Sequence, residues 1–388
     1  MGAKDMPRIR GTCRRPTAAQ SGRCCLPTYG EEMTTETPQV PTAEEEMLNW
    51  GRLLMDGLPF ADLLAAQRRD AETSWFDFWM AKADAYEAMG ETALKDGNDL
   101  TAGYWFWVGS MAAQYAQFLW FDERRPKGQL RKAGLYHRAA PLLDPPAERV
   151  DLPIDDTVII GYLRRPKGAD GPVPCAVLLG GLESTKEESY MFENLLLERG
   201  VATFTFDGPG QGEMFEDVAL AGDYHRYTSR VVDYLETLGV TIDEDRIGVL
   251  GRSLGGHYAL RAASMDDRFR ACVTWGGFVQ MDDWDFEYPM TKLSWQYVTK
   301  SPDLPTAQER VKEAIDVRPV LAGLKVPTYV MHGAKDETPL TELDLLQEYA
   351  VNADITIDLE PEGDHCCHNL GPAPRLRMAD WLANQLRP

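Results

Sequence analysis

The sequence predicts an α/β protein in which a mostly parallel, twisted sheet is flanked by helices and preceded by a helical region. Three observations predict it. From about residue 148 onward, short apolar runs typical of strands occur between segments with apolar residues at helical spacing. Residues 42 to about 145 show only the helical spacing. A G-x-S-x-G pentapeptide (251–255, GRSLG) lies between an apolar run and a helical segment, which is typical of a nucleophile elbow.

Residues 1–41 are expected to be a disordered or non-native extension. The first 30 carry one lysine and five arginines against a single Asp, without an apolar stretch of the secretory type. An Arg-rich transit peptide is the alternative. The helical face that such a peptide needs is missing, so the extension is favoured, with Met33 as an alternative start.

Residues 42–147 are predicted to form a helical cap. The predicted helices cover 44–54, 62–82, 84–95 and 100–121. The last helix is rich in aromatic residues, among them Trp105, Trp107 and Tyr115. Aromatic stripes usually form core, so a packed core is favoured over a lid for an aromatic substrate, although different faces can serve both purposes.

Residues 148–388 are predicted to form the catalytic domain. Predicted strands cover 149–152 and 157–160 (a hairpin-like pair), 174–179, 201–206, 246–250, 328–331 and 355–359. Helices are predicted over 256–263 and 374–386. An insertion at about 279–324 is expected to cover the carboxyl edge of the sheet. Its acidic residues either attract a cationic substrate or form a solvated loop (Asp282, Asp283, Asp285 and Glu287).

Ser253 is the predicted nucleophile. A serine hydroxyl needs a base in hydrogen-bond reach, and the base needs an orienting carboxylate. In the α/β-hydrolase fold the order along the chain is Ser, then Asp or Glu, then His. Asp336 ends the turn after strand 328–331 and is the predicted carboxylate, with Glu337 as the rival.

His365 is the predicted base because it follows the last strand, where this fold places it. The rivals are His332, expected to be packed at a strand end, and His368, expected to be a loop or helix-start residue. The run 365–368 (HCCH) also admits a metal site. Adjacent ligands seldom surround one tetrahedral ion, and the chain has no C-x-x-C pair, so no metal is predicted.

Backbone amides are predicted to form an oxyanion hole. One donor is Leu254, which follows the nucleophile. The other is Leu182 or Gly181, in the glycine-containing turn after strand 174–179. Glu183 falls at the mouth of this site, where it either handles a proton or only shapes the loop.

Two neighbouring segments are given structural interpretations. The run 185–188 (TKEE) is expected to be a solvated helix start. The run 207–213 (DGPGQGE) fits no phosphate-loop spacing and is expected to be a turn at the rim of the site.

Five segments occur together in a combination more specific than any one motif. They cover 180–189, 206–215, 248–256, 274–278 and 363–371. The set resembles the 2,6-dihydroxypseudooxynicotine hydrolase family of α/β-hydrolases, which cleave C–C bonds. The wider family includes fungal polyketide-shortening hydrolases and the fermentation-respiration switch proteins. The resemblance covers about residue 42 to the end and is strongest from 174.

The resemblance implies a triad of Ser253, Asp336 and His365, assisted by Glu183. It also implies a helical N-terminal cap, no cofactor and a homodimer. The expected reaction is hydrolysis of a C–C bond next to a ketone in an aromatic or β-diketone-type small molecule. The alternatives are a polyketide-shortening hydrolase, a carboxylesterase with the same triad, and a binding or regulatory protein that keeps the fold without catalysis.

Composition limits the partners. The formal net charge of −21 and pI of about 4.7 disfavour nucleic acid and anionic membranes. No apolar run approaches the roughly 18 residues of a membrane span. Seven cysteines without framework spacing indicate a reducing, cytoplasmic location.

Overall fold

A computed structural model describes residues 49–388. The expectation for residues 1–41 lies outside this range, as do the first residues of the predicted cap (42–48) and with them the start of the predicted helix 44–54. The strands are β1 (Ala147–Ile154), β2 (Thr157–Arg164), β3 (Val173–Leu179), β4 (Ala202–Phe206), β5 (Ile242–Arg252), β6 (Phe269–Trp275), β7 (Thr328–Gly333) and β8 (Ile355–Glu360). No helix within the described range is both long and apolar enough to cross a lipid bilayer.

The helices precede, separate and follow these strands. They are α1 (Trp50–Met55), α2 (Phe60–Gln67), α3 (Trp75–Lys95), α4 (Asp99–Gln117), α5 (Arg125–Ala139), α6 (Tyr190–Leu197), α7 (His225–Glu236), α8 (Leu254–Met265), α9 (Pro289–Val298), α10 (Leu304–Ala314), α11 (Thr341–Tyr349) and α12 (Ala373–Gln385).

All eight strands form one sheet in the order β1-β2-β4-β3-β5-β6-β7-β8. The pairs β1–β2 and β2–β4 are antiparallel, and the other pairs are parallel. This is the predicted α/β-hydrolase fold. Because parallel strands end at one edge, the segments after β3, β5, β7 and β8 meet there. Strand β6 lacked a prediction of its own, although it lies at the centre of this parallel part.

The N-terminal helices form around their own buried core, but several predicted boundaries were wrong. The predicted helix 62–82 is interrupted between α2 and α3, because Ser74 caps a new helix by accepting a hydrogen bond from the Asp77 amide. The predicted segment 84–95 belongs to α3, and α4 ends at Gln117. Helix α5 was missed.

The aromatic side chains of α4 favour the core interpretation. Phe106, Trp107 and Tyr115 are at most 2 % exposed and pack in the core of the N-terminal helices. Close packing in this core holds helices α3, α4 and α5 together.

Candidate active site

Ser253 occupies a sharp turn between β5 and α8, with φ 57° and ψ −123°. A non-glycine residue in this region of backbone space is strained. The flanking glycines are required by close backbone approaches. A Cβ on Gly251 would lie 1.8 Å from the carbonyl oxygen of Gly255, and one on Gly255 would lie 2.2 Å from that of Leu179.

His365 begins a short turn, His365–Leu370, that follows β8. Its next two residues, Cys366 and Cys367, both have positive φ (58° and 52°). Reciprocal hydrogen bonds between Asp364 and Asn369 close the turn. Strain held by such contacts is common where a functional side chain must be aimed.

The three predicted triad residues lie in one hydrogen-bonded line. His365 Nε2 is 2.8 Å from Ser253 Oγ, and His365 Nδ1 is 2.8 Å from Asp336 Oδ1. The rival Glu337 has its nearest oxygen 3.7 Å from Nδ1, so the structure gives Asp336 the better contact. The rival histidines point elsewhere, since His332 contacts the Thr338 carbonyl and His368 contacts Arg375.

Charge within this line favours an ion pair when His365 carries a proton. Burial opposes the charge on His365, but Asp336 outweighs it and raises the pKa of His365 well above 6.5. Burial also opposes the charge on Asp336, but His365 keeps its pKa below the usual value. The Thr338 amide donates to Asp336 Oδ1 at 2.8 Å and helps to fix the carboxylate.

The turn after β3 lies against the elbow. A Cβ placed on Gly181 would be 3.1 Å from the Ser253 Cβ. The side-chain amide of Gln211 donates to the carbonyl oxygens of Gly180 and Gly181 at 2.8 and 2.9 Å. The predicted turn 207–213 thus contacts the predicted oxyanion loop and fixes its peptide planes.

Glu183 lies in the same turn and is 9 % exposed. Its Oε2 accepts a hydrogen bond of 2.8 Å from Arg125 at the start of α5. Within the described residues, its Oε1 has no hydrogen-bond partner. Sequence reasoning missed Arg125, because an Arg-Arg-Pro run (124–126) looks like an ordinary helix start.

A cavity that is open to solvent lies beside this pair. It is bordered by α4–α5, the turn after β3, the segment 210–216 and α9 from the insertion. Its walls include Gln117, Arg125, Gln129, Leu182, Glu183, Phe215 and Tyr297. The insertion therefore borders this cavity through Tyr297 of α9.

A second missed residue is Arg252, which precedes the nucleophile. Its guanidinium contacts Asp56, Ser184 and Glu188 in the protein interior. The sequence signal that could have found Arg252 was a charged residue directly before the predicted nucleophile, because an arginine that is buried needs a carboxylate partner.

The prediction that 185–188 is solvated was wrong. Lys186, Glu187 and Glu188 are at most 3 % exposed. Lys186 Nζ lies 2.6 Å from both Asp207 and Glu213 and 2.9 Å from Glu187. These carboxylates are close enough together to suit a cation, and the lysine ammonium already occupies that role.

The 365–368 run does not converge on one point. Both ring nitrogens of His365 contact triad partners, the Cys366 thiol contacts the Trp275 carbonyl, and the His368 ring contacts Arg375. This arrangement does not fit a tetrahedral metal site.

The acidic insertion divides into two parts. Asp282, Asp283 and Asp285 are exposed, whereas Glu287 is half-buried. Burial, reinforced by the nearby Glu337, raises the pKa of Glu287 to about 7. Burial likewise raises the pKa of Glu337 to about 7, against the effect of His365. Two carboxyl groups that titrate near neutrality therefore flank the predicted base.

Comparisons with known proteins identify relatives of this chain. The chain is 53% identical over 352 residues to the 2,6-dihydropseudooxynicotine hydrolase of Paenarthrobacter nicotinovorans, covering 91% of this chain and 95% of that protein. A crystal structure of 2,6-dihydroxy-pseudo-oxynicotine hydrolase superposes with a TM-score of 0.84, covering 87% of this chain and 96% of the other.

More distant matches extend the relationship. A hydrolyase of Penicillium oxalicum is 32% identical over 249 residues, covering 59% of this chain and 58% of the relative. The structure of AbyA5, at 20% identity and a TM-score of 0.65, covers 84% of this chain and 94% of its own and shares the fold. The family model described as Esterase FrsA-like matches residues 68–290. The chain therefore belongs to the esterase FrsA-like family and is a hydrolase with the α/β-hydrolase fold.

Proposed function

We propose that this enzyme hydrolyses the C–C bond next to a ketone in a hydroxylated aromatic small molecule of the 2,6-dihydroxypseudooxynicotine type, with Ser253, His365 and Asp336 as its triad. The observation that carries the proposal is the line of two 2.8 Å contacts joining these side chains. The relative named for this substrate matches the chain over almost its whole length.

The first half of the reaction forms an acyl-enzyme. Ser253 Oγ attacks the ketone carbon while its proton passes to His365 Nε2, and Asp336 keeps the imidazole in the required tautomer. The negative oxygen is held by backbone amides. The C–C bond then breaks, its electron pair leaves with the ring, and the ring takes a proton from His365 or by way of Glu183.

The second half restores the serine. Water loses a proton to His365 and adds to the acyl group, and the ester bond to Ser253 then breaks. The carboxylic acid leaves as the serine regains its proton. A carbon leaving group is feasible only where its charge is delocalised, which an electron-rich hydroxylated ring provides.

Leu254 and Leu182 are the amides we assign to the oxyanion hole. Leu254 is the first residue of α8, where amides lack intrahelical acceptors. The carbonyl of Gly181 is held by Gln211 and by the Ser184 amide. In a trans peptide the Leu182 N–H points away from that carbonyl and is free to face the site. The Gly181 N–H stands in the same relation to the Gly180 carbonyl, which Gln211 also holds, so Gly181 is the alternative donor.

The test uses 2,6-dihydroxypseudooxynicotine with product identification by mass spectrometry. The wild type is expected to release the ring and a carboxylic acid, and Ser253→Ala to lose at least about 1,000-fold in kcat/KM. Ser264→Ala, a half-buried serine of α8, is the matched control and should retain activity. Full turnover by Ser253→Ala would refute the triad.

A carboxylesterase is the second candidate, because the family model is described as esterase-like. The same panel decides between the two. Cleavage of p-nitrophenyl acetate with the ketone left intact would favour the esterase. Rapid-quench mass spectrometry of the ketone reaction should also detect an acyl group on Ser253, and its absence would favour direct attack by water.

The enzyme is further proposed to act as a cytoplasmic homodimer. The family resemblance supports the dimer, and the unpaired Cys175, Cys272, Cys366 and Cys367 are compatible with a reducing compartment. Light scattering after size exclusion should give twice the chain mass of 43.5 kDa. A monomer at micromolar concentration would contradict the dimer.

A further inference from the structure

The cavity beside Glu183 contains hydrogen-bonding groups that the protein leaves unpaired. Within the described residues, the Oε1 atom of Glu183 and the Nε2 atom of Gln129 are buried without a partner. Both residues border the cavity. Leaving a buried polar group without a hydrogen-bond partner is unfavourable. One acceptor and one donor are thus available for a bound molecule.

The same cavity has a cationic and aromatic wall. Arg125 is 7 % exposed, binds Glu183 Oε2, and lies with its guanidinium carbon 4.0 Å from the Tyr297 ring centre. Phe215 stacks on Tyr297 at a centroid distance of 4.5 Å and an interplanar angle of 11°. A planar, electron-rich ring suits such a wall.

The cavity adjoins the reaction centre. Leu182, the proposed oxyanion donor, borders it, and the preceding Gly181 contacts Ser253. The cavity is therefore within reach of a group attached to the carbonyl carbon under attack.

We propose that this cavity receives the hydroxylated ring that leaves when the C–C bond breaks, and that Arg125 and Gln129 are its specificity-determining residues. The inference rests on the proposed function. Glu183 Oε1 accepts a hydrogen bond from a ring O–H or N–H, and Gln129 Nε2 donates to a ring oxygen. Arg125 stabilises the negative charge that reaches the ring oxygens during cleavage.

The inference predicts that ring recognition and ester hydrolysis separate. p-Nitrophenyl acetate needs the triad but carries no ring hydroxyl for these groups. Arg125→Met and Gln129→Leu should therefore lower kcat/KM for the ketone at least about tenfold more than for the ester, because each removes a hydrogen bond that only the ring of the ketone makes.

Binding provides the readout that does not depend on turnover. Calorimetry with 2,6-dihydroxypyridine as the probe would use the Ser253→Ala enzyme, alone and combined with Arg125→Met, Arg125→Lys or Gln129→Leu. We expect Kd to rise at least tenfold with the Met and Leu changes and less with Lys. Arg124→Met is the matched control, because Arg124 pairs with Asp122 and Asp77 near the surface, and it should leave Kd unchanged.

The outcomes separate the two proposals. Unchanged Kd in both Arg125→Met and Gln129→Leu would overturn the ring subsite, even if the wild type cleaves the ketone. If the wild type fails to cleave the ketone but the Arg125 and Gln129 substitutions still raise the Kd of the ring, the subsite is supported and the proposed reaction is refuted. Should Arg125→Met not fold, Gln129→Leu decides, because Gln129 is half-buried and uncharged.

Discussion

The guanidinium of Arg252 lies 3.0 Å from both carboxylate oxygens of Asp56, a residue 196 positions earlier in the chain. Asp56 also contacts Arg375 at 3.0 Å and accepts a hydrogen bond from Tyr115. Burial disfavours its charge, but Arg252 and Arg375 outweigh this and hold the pKa of Asp56 far below its usual value. The residue next to the nucleophile is thus positioned by the end of α1.

Asp56→Asn is expected to reduce both stability and activity. It leaves Arg252 and Arg375 without their shared charge, and breaking a buried ion pair costs about 3–5 kcal/mol. Chemical denaturation and kcat/KM should both record the loss. The control is Asp96→Asn, an exposed Asp in the same helical region, expected to change stability by less than about 0.5 kcal/mol. A fully stable, active Asp56→Asn would show that the contact is dispensable.

The acid limb of the pH–activity profile should report His365. Catalysis needs the neutral imidazole, and its pKa is raised well above 6.5, so kcat/KM should rise with pH beyond that value. Glu337→Gln removes a carboxylate 3.7 Å from Nδ1. In this variant the acid limb of kcat/KM should move to lower pH by about one unit, which corresponds to about 1.4 kcal/mol of lost attraction between the carboxylate and protonated His365. Glu348→Gln, on an exposed face of α11, should leave the limb in place; an unmoved limb in Glu337→Gln would refute the coupling.

Glu287 should make the folded state less stable as the pH rises. The pKa of Glu287 is about 7 in the fold, against 4.5 for an unperturbed glutamate side chain. The fold therefore binds the proton more tightly than the unfolded chain, and this stabilisation, complete below pH 4.5, is lost as the pH rises through 7. The free energy of unfolding of Glu287→Gln, taken relative to wild type, should increase by about 1–3 kcal/mol between pH 4.5 and pH 8. Urea unfolding at both pH values measures this difference, and Asp285→Asn, at an exposed position, is the control. A difference in stability that does not change with pH would contradict the prediction.

The elbow glycine Gly255 should tolerate no side chain. The added Cβ of Gly255→Ala would approach the Leu179 carbonyl to 2.2 Å, so we expect a loss of at least about 3 kcal/mol or insoluble protein. Gly134→Ala is the matched control. This exposed glycine of α5 has nothing within 4 Å of the new Cβ, and the change should stabilise the helix by about 0.5–1 kcal/mol. Thermal unfolding compares the two, and a stable Gly255→Ala would invalidate the steric argument.

The hydrogen-bonded line of the proposed triad was predictable because each member lies at a recognisable strand end. Ser253 is marked by its flanking glycines, and Asp336 and His365 follow the last two strands in the expected order. Since parallel strands end at one edge, topology alone brings these residues together. From the sequence, Asp336 was preferred over Glu337 only because of its position in the turn. The structure adds that the Asp336 carboxylate lies closer to His365 Nδ1 than the Glu337 carboxylate does.

The buried charges were not predictable in this way. Lys186, Glu187 and Glu188 look like solvated residues because their partners, such as Asp207 and Lys132, lie far away in the chain. Arg125 was missed for the same reason, since its counter-charge Glu183 is 58 positions later. Local pattern determines which element forms, whereas pairing of interior charges depends on how distant elements pack.

The Asp56 contacts have a consequence for how this protein can be divided. Removing the N-terminal helices would take away the carboxylate that Arg252 and Arg375 share and leave Glu188 as the carboxylate partner of Arg252. Such a truncated chain is expected to be less stable than the full protein, even though it keeps every proposed triad residue.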